Sequence, residues 1–141
     1  MTLYTESSAV LSWLLSQARG PLVMQALESS DSVVISELTL VECDRTLLRE
    51  VAVGGVTAVV ADVLHDRLAE VSATWNVQPL HREVLDRARA SFPDDRVRSL
   101  DAIHLASAVV ARASLGDMDL LSLDERIRSN AAALGFRVLP E

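Results

Sequence analysis

Short apolar segments alternate with longer helical segments along this chain, and the alternation constrains the fold more than any other feature. Strands are predicted for five segments: LYT at residues 3–5, VVIS, WNVQPL, DLLSL and FRVL. Segments with helical spacing of apolar residues separate them. Strands joined through helices pair in parallel, and helices then cover both faces of the sheet. We therefore expect a single three-layer α/β/α domain over residues 1–141, with a central, mainly parallel sheet of four to five strands.

Glycine, proline and serine delimit the helical segments. Gly20-Pro21 separates the first helix from the second, since proline is tolerated only in the first turn of a helix. Ser36 and Ser99 are each predicted to cap the helix that follows. Residues 37–72 contain two helical segments joined at Gly54-Gly55, with no strand between them. This arrangement predicts a helical hairpin inserted into the α/β plan.

Composition limits the class of protein. Half of the 141 residues are apolar, as in a globular domain. No apolar run approaches the roughly 18 residues that span a bilayer, and no basic leader precedes the first apolar segment, so we expect neither a membrane segment nor a signal peptide. The single cysteine, Cys43, excludes an internal disulfide and is typical of a core residue in a cytoplasmic protein. The net charge of −7 argues against unaided binding to long duplex DNA, although bound cations would permit a nucleic-acid substrate.

Four carboxylates lie at or near predicted strand-to-helix junctions. Glu6 ends the first strand, and Asp124 ends the fourth. Asp101 lies in the first turn of its helix, and Glu42 lies about two turns into the helix after the second strand. The carboxyl ends of parallel strands share one edge, which is the usual ligand site of such folds. Taken singly, each acid is also explained as a helix cap or a solvated charge; together they predict a Mg²⁺ site for phosphate chemistry.

Other polar residues near these acids have two interpretations each. Ser8 and Ser122 either orient the acids and their water molecules or cap helices. Arg98 and Arg126 either hold substrate phosphates or are solvated surface residues. His104 is predicted to be a buried packing residue rather than a catalytic one.

Four longer motifs surround the acids: LYTESSAVLSWLL, ISELTLVEC, RSLDAIHLASA and LLSLDERIRSNAAALGFRVLP. Together they resemble the PIN-domain ribonucleases, specifically the VapC-type toxins of bacterial toxin–antitoxin pairs, and the resemblance runs nearly end to end. The first motif is similar to the family's strand and acidic-x-Ser-Ala segment, and the second to its serine-capped helix bearing Glu42. The third and most specific motif matches the pattern around Asp101, and the fourth resembles the C-terminal strand with its acid at Asp124.

The resemblance implies a PIN-like fold and a Mg²⁺- or Mn²⁺-dependent endoribonuclease that leaves a 5′-phosphate and a 3′-hydroxyl. It implies that Glu6, Glu42, Asp101 and Asp124 form the catalytic, metal-binding set. It further implies an RNA substrate, a cognate antitoxin that blocks the acidic pocket, and a toxin homodimer in the cytoplasm with no membrane attachment.

Glu6 departs from the aspartate that is normal at this position of the family. Its side chain is one methylene longer, while catalytic constellations tolerate only about 0.5 Å of error. A catalytically weak PIN protein that chiefly binds its antitoxin or RNA is therefore an alternative to the nuclease.

Phosphoryl transfer to an aspartate is a second alternative. Receiver domains and haloacid-dehalogenase-type phosphatases resemble this layout, since they too place acids and Mg²⁺ beyond a parallel sheet. Those proteins ordinarily contact the phosphoryl group with a lysine. All thirteen basic residues of this chain are arginines, and no D-x-D-x-[TV] motif follows the first strand. Both absences argue against this alternative.

Overall fold

The computed structural model describes residues 1–141, and its strands and helices alternate as expected. The five strands are β1 (Thr2–Thr5), β2 (Ser32–Ser36), β3 (Asn76–Gln78), β4 (Asp119–Leu121) and β5 (Val138–Leu139). The seven helices are α1 (Ser7–Leu14), α2 (Gly20–Glu28), α3 (Glu37–Ala52), α4 (Ala58–Ser72), α5 (Arg82–Ala88), α6 (Ser99–Leu115) and α7 (Glu125–Ala133). None of these helices is both long and apolar enough to cross a bilayer.

All five strands form one parallel sheet in the order β3-β2-β1-β4-β5. The central strand is β1, in which Leu3 pairs with Val33 of β2 and with Asp119 of β4. The predicted three-layer α/β/α fold is confirmed, with five strands. Because the pairing is parallel throughout, the carboxyl ends of the strands share one edge, and the segments leaving β1, β2 and β4 meet there.

Helices cover both faces of the sheet because successive residues of a strand point to opposite sides. In β1, Tyr4 belongs to a core cluster of 15 buried residues shared with α5, α6 and α7. The preceding residue, Leu3, belongs to a cluster of 11 buried residues shared with α1, α3 and α4. Leu120 and Leu121 of β4 alternate in the same way. The two central strands are therefore held from both sides, which positions the segments that leave their carboxyl ends.

The predicted hairpin consists of α3 and α4, which pack against each other. Gly54 turns the chain after α3 with a φ of +78°, in the left-handed region that favours glycine. The outer hairpin surface, as we call it, consists of apolar side chains of this hairpin that remain exposed: Val41, Leu48, Val53, Val59, Val60 and Val63.

The starts of α3 and α6 are stabilised in different ways. Ser36 caps α3 as predicted, since its side chain accepts the backbone N–H of Leu38 at 3.1 Å. The predicted cap at Ser99 is wrong, because Ser99 is already helical and Arg98 occupies the cap position of α6. The carboxylate of Asp101 accepts the backbone N–H of Arg98 at 3.3 Å. An acid three positions after the cap makes this contact, and it lets the helix begin without a serine cap.

Several elements are shorter than the apolar segments that predict them. β3 ends at Gln78, because the following Pro79 has no N–H to donate to a neighbouring strand. The closing strand, predicted over FRVL, is confined to β5. These differences change the lengths of elements but not their order.

We predict that Leu105→Ala destabilises the fold far more than Leu100→Ala, although both leucines lie in α6. Leu105 is fully buried in the core, whereas Leu100 is 49% exposed. Truncating a buried leucine costs about 2–5 kcal/mol, while an exposed substitution changes stability by about 0.5 kcal/mol or less. Urea denaturation of both variants measures the difference. Equal losses of stability would contradict the packing of α6 against the sheet.

Candidate active site

A cavity of about 640 Å³ lies at the carboxyl edge of the sheet, and all four predicted acids line it. Glu6 lies between β1 and α1, and Glu42 lies in α3, the helix that follows β2. Asp101 lies in the first turn of α6, and Asp124 is the N-cap of α7, after β4. Four segments that are distant in sequence therefore meet around one cavity, which we call the acid cavity.

Glu6 is the innermost of the four acids and is only 3% exposed. Its Oε1 accepts the hydroxyl proton of Ser7 at 2.6 Å and the backbone N–H of Ser8 at 3.0 Å. Its Oε2 accepts the hydroxyl protons of Ser8 and of Ser122, the latter at 2.8 Å. Four donors thus satisfy this buried carboxylate, as burial of a charge requires. Glu6 is not the solvated loop residue that the sequence left open.

Ser8 and Ser122 hold Glu6 rather than capping helices. Besides donating to Glu6, the hydroxyl of Ser8 accepts the backbone N–H of Leu123 at 2.9 Å. The hydroxyl of Ser122 accepts the backbone N–H of Asp124 at 3.1 Å. The two serines therefore connect the start of α1 to the loop between β4 and α7.

His104 lies beside Glu6 and Glu42 and is 2% exposed. Its Nε2 is hydrogen-bonded to Oε1 of Glu42, and it lies 3.3 Å from the Ser7 hydroxyl and 3.9 Å from Oε1 of Glu6. The predicted burial is confirmed, but the contact with Glu42 was not predicted. The available signal was the spacing of His104 three residues after Asp101, which places both on one side of α6.

Asp101 and Asp124 are partly exposed acids, and each also stabilises a helix start. One oxygen of Asp101 accepts the backbone N–H of Arg98. Oδ1 of Asp124 accepts the backbone N–H groups of Arg126 at 2.9 Å and Ile127 at 3.2 Å. The helix-cap interpretation of Asp124 is therefore correct and coexists with its place in the cavity.

The four carboxylates differ in how many of their oxygens the protein occupies. Both oxygens of Glu6 accept hydrogen bonds, whereas Glu42, Asp101 and Asp124 each keep one oxygen without a protein donor. No three acidic, histidine or cysteine side chains are grouped closely enough to bind one metal ion among them. Mg²⁺ usually keeps several water ligands and needs only one or two protein carboxylates. The donors around the cavity therefore fit a hydrated, hard cation.

The acids impose a negative potential on their buried neighbours. Burial raises the pKa of the Cys43 thiol to about 12, and the charges of Glu42, Asp44 and Glu6 add to the shift. Burial also raises the pKa of the Tyr4 phenol above its usual range, with Glu6 and Glu42 again contributing. Cys43 is thus a buried thiol held in its protonated form, as its prediction as a core residue requires. A potential of this sign attracts a cation to the cavity.

Arginines flank the acids on two sides. Arg45 and Arg49, which the sequence patterns did not single out, line the acid cavity; they follow Glu42 by three and seven residues, so they share its side of α3. Arg98 and Arg126 instead line a neighbouring cavity of about 590 Å³. None of the four arginines forms a salt bridge within the chain. Four guanidinium groups therefore remain available to anions around the acids.

Known proteins similar to this chain share both its length and its fold. Ribonuclease VapC35 of Mycobacterium tuberculosis is 28% identical over 139 residues, which cover 97% of this chain and 95% of the relative. FitAcB from Neisseria gonorrhoeae matches with a TM-score of 0.70 at 17% identity, over 98% of this chain and 96% of that one. At such low identity, the structural likeness supports the fold alone.

Two further solved structures match over nearly the whole chain. A toxin–antitoxin complex from Klebsiella pneumoniae has a TM-score of 0.65 at 19% identity, covering 99% of this chain and 97% of that one. VapC20 of Mycobacterium tuberculosis, described as a sarcin-ricin loop cleaving toxin, has a TM-score of 0.66 at 17% identity, with 95% of each chain covered. The family model described as the PIN domain matches residues 3–133. The chain therefore belongs to the PIN-domain family.

Proposed function

We propose that this protein is an endoribonuclease that requires Mg²⁺ or Mn²⁺. The observation that carries the proposal is the single cavity lined by four carboxylates from four separate segments. A hydrated divalent cation is the partner that such a cluster accepts. The relative named a ribonuclease, 28% identical over nearly the full chain, supports RNA as the substrate.

The four acids have different roles in this proposal. Glu42, Asp101 and Asp124 present to the hydrated cation the oxygens that no protein group occupies. One or two of these acids bind the cation directly, and the remainder accept hydrogen bonds from its water ligands. Glu6 adds negative charge beneath them and keeps three serine hydroxyls in place. A divalent cation bound there supplies shielding of the phosphate charge and a water molecule of lowered pKa.

The arginines position the RNA strand in this proposal. Guanidinium groups bind phosphate oxygens through paired hydrogen bonds, and Arg45 and Arg49 lie in the same cavity as the acids. Arg98 and Arg126 contact phosphates farther along the strand, in the neighbouring cavity. The basic groups thereby offset the net charge of −7 where the substrate binds.

We predict that Asp101→Asn and Glu42→Gln each lower kcat for RNA cleavage by about 10²- to 10³-fold, the loss typical of removing one preorganised electrostatic group. Both changes preserve the size of the side chain while removing its charge. Purified protein, free of any antitoxin, is assayed on RNA with Mn²⁺ and, separately, with EDTA. EDTA is expected to abolish cleavage by the wild-type protein.

Asp117→Asn is the matched control for these variants, because it removes the same charge from an exposed residue. Asp117 lines a cavity with Met1 and Thr2, at the amino end of the sheet. The Asp117→Asn variant is expected to retain full RNA-cleaving activity. Cleavage that persists in EDTA, or that survives both Asp101→Asn and Glu42→Gln, would rule out the proposed enzyme.

We predict that Mn²⁺ or Mg²⁺ raises the melting temperature, because the cation binds the assembled acids of the folded state. At ten times the dissociation constant the gain is about 1.4 kcal/mol, which corresponds to roughly 4–6 °C for a domain of this size. Differential scanning calorimetry with and without the cation measures the shift. The shift is expected to vanish in Asp101→Asn; an equal shift in that variant would place the bound cation elsewhere.

A catalytically weak PIN protein is the second candidate, and the hydrogen bonding of Glu6 favours it. Both oxygens of this carboxylate are occupied by serine donors, so Glu6 supplies no free oxygen to a cation. In this candidate the protein acts chiefly by binding its antitoxin or RNA.

We predict that Glu6→Asp does not raise the rate of RNA cleavage and lowers stability by about 1–3 kcal/mol. The shorter side chain withdraws its carboxylate from Ser122 and leaves buried polar groups without partners, which costs free energy of this size. Cleavage kinetics and urea denaturation measure the two effects. A weakly active wild-type protein whose rate rises more than tenfold on Glu6→Asp would establish the second candidate instead.

We further propose that the enzyme is the toxin of a toxin–antitoxin pair in the cytoplasm, inhibited by its cognate antitoxin and assembled as a homodimer. One similar structure is a toxin–antitoxin complex and another is named a toxin, which supports this assignment. The outer hairpin surface offers exposed apolar area for a partner helix or for a second copy of the chain.

A further inference from the structure

One buried imidazole connects two of the four acids. Nε2 of His104 is hydrogen-bonded to Oε1 of Glu42 and lies 3.3 Å from the hydroxyl of Ser7 and 3.9 Å from Oε1 of Glu6. The other ring nitrogen, Nδ1, is buried without a hydrogen-bond partner. All polar contacts of this 2%-exposed ring therefore pass through Nε2.

The atoms around Nε2 determine where the proton of the ring lies. The Ser7 hydroxyl is 2.6 Å from Oε1 of Glu6, a better contact than its 3.2 Å approach to Oε1 of Glu42. Its one proton therefore goes to Glu6, and it presents a lone pair to His104. Since the carboxylate oxygens also only accept hydrogen bonds, Nε2 carries a proton and donates it toward Glu42.

We propose that His104 is a positioning residue that holds the carboxylate of Glu42 beside Glu6 and ready for a cation; this inference rests on the proposed function. The side chain of Glu42 is 29% exposed, and it carries the same charge as its buried neighbour Glu6. Without a donor, repulsion and rotamer entropy favour its departure from Glu6. The Nε2–H group holds Oε1 and leaves Oε2 free as a ligand.

The helix that carries His104 explains how this contact is maintained. Asp101, at the start of α6, lies at the rim of the acid cavity, and His104 follows one turn later in its interior. Leu105 and Ala106, the two residues that follow the histidine, are fully buried in the core. A ring fixed in this way acts as a rigid outer partner that orients a ligand, the role of second-layer hydrogen bonds in metal sites.

Two substitutions separate positioning from packing. His104→Gln retains an N–H donor at the reach of Nε2, whereas His104→Leu keeps a comparable volume and has no donor. We expect His104→Leu to lower Mn²⁺ affinity and kcat for RNA cleavage by about 10- to 100-fold, as loss of an orienting partner does. KM for RNA stays unchanged, because the buried ring does not reach the substrate. We expect His104→Gln to restore most of the lost affinity and rate.

A double-mutant cycle with Glu42→Gln tests whether His104 acts through Glu42. Isothermal titration calorimetry with Mn²⁺ and single-turnover cleavage are measured for the wild-type protein, both single variants and the double variant. If the inference holds, His104→Leu causes no further loss once Glu42 has lost its charge. Losses that multiply in the double variant, or a His104→Gln variant as impaired as His104→Leu, would overturn it.

The two measurements distinguish failure of this inference from failure of the proposed function. A wild-type protein that binds Mn²⁺ but cuts no RNA overturns the function, while the Mn²⁺-binding cycle still decides the role of His104. A wild-type protein that binds no Mn²⁺ overturns both. The melting temperatures of all variants are measured alongside. If the loss of Mn²⁺ affinity correlates with the loss of stability of each variant rather than with the absence of an N–H donor at position 104, the inference is also overturned.

Discussion

Parallel pairing of β1 with both β2 and β4 is the interaction on which the candidate site depends. The strand is only four residues long, yet Leu3 and Tyr4 are fully buried on opposite faces of the sheet. A slip of one residue would exchange the side chains between the two cores, so the register is strongly specified. With that register, Glu6 leaves β1 at the edge where Leu121 ends β4, and its backbone N–H donates to the Leu121 carbonyl at 3.0 Å. The contact between Glu6 and Ser122 follows from this pairing.

Bringing four acids to one edge costs free energy, and the structure offsets the cost in two different ways. The buried Glu6 receives four hydrogen bonds, three of them from serine hydroxyls, because an unpaired buried charge is strongly destabilising. Asp101 and Asp124 remain partly exposed and lie at helix N-termini, where free N–H groups and the helix dipole favour negative charge. The inner acid is thus satisfied by the protein alone, while the outer acids retain capacity for a cation from solvent.

The features predicted correctly from sequence are those that depend on near neighbours or on the parallel arrangement as a whole. Alternating segments predicted every strand and helix in order, because local spacing of apolar residues determines which face each element buries. The meeting of Glu6, Glu42 and Asp124 required only that parallel strands share a carboxyl edge, whereas Asp101 reaches it from α6, which follows α5 rather than a strand. The incorrect cap at Ser99 was a local competition in which the carboxylate of Asp101 reached back to Arg98.

The contacts that the sequence did not predict join residues far apart in the chain. Glu42 and His104 are 62 residues apart, and their contact depends on how α3 and α6 lie over opposite faces of the sheet and meet beyond its edge. Spacing along one helix indicates which residues share a side, but it contains no information on the partner that this side meets. Sequence therefore predicted that His104 is buried and left its partner undetermined.

Glu6 connects a feature visible in the sequence, its extra methylene, with contacts that only the fold reveals. Its longer side chain lets one carboxylate reach Ser7 and Ser8 at the start of α1 and Ser122 beyond β4 at the same time. Sequence showed the departure from the family's usual aspartate, but only the arrangement of the donors shows its consequence. Because the serines occupy both oxygens, the extra length is accommodated by hydrogen bonding within the protein. The carboxylate oxygens without a protein donor belong to the remaining three acids. In the proposed function, the position of the Glu42 carboxylate, which His104 holds, therefore matters more for cation binding than it would beside a first acid with a free oxygen.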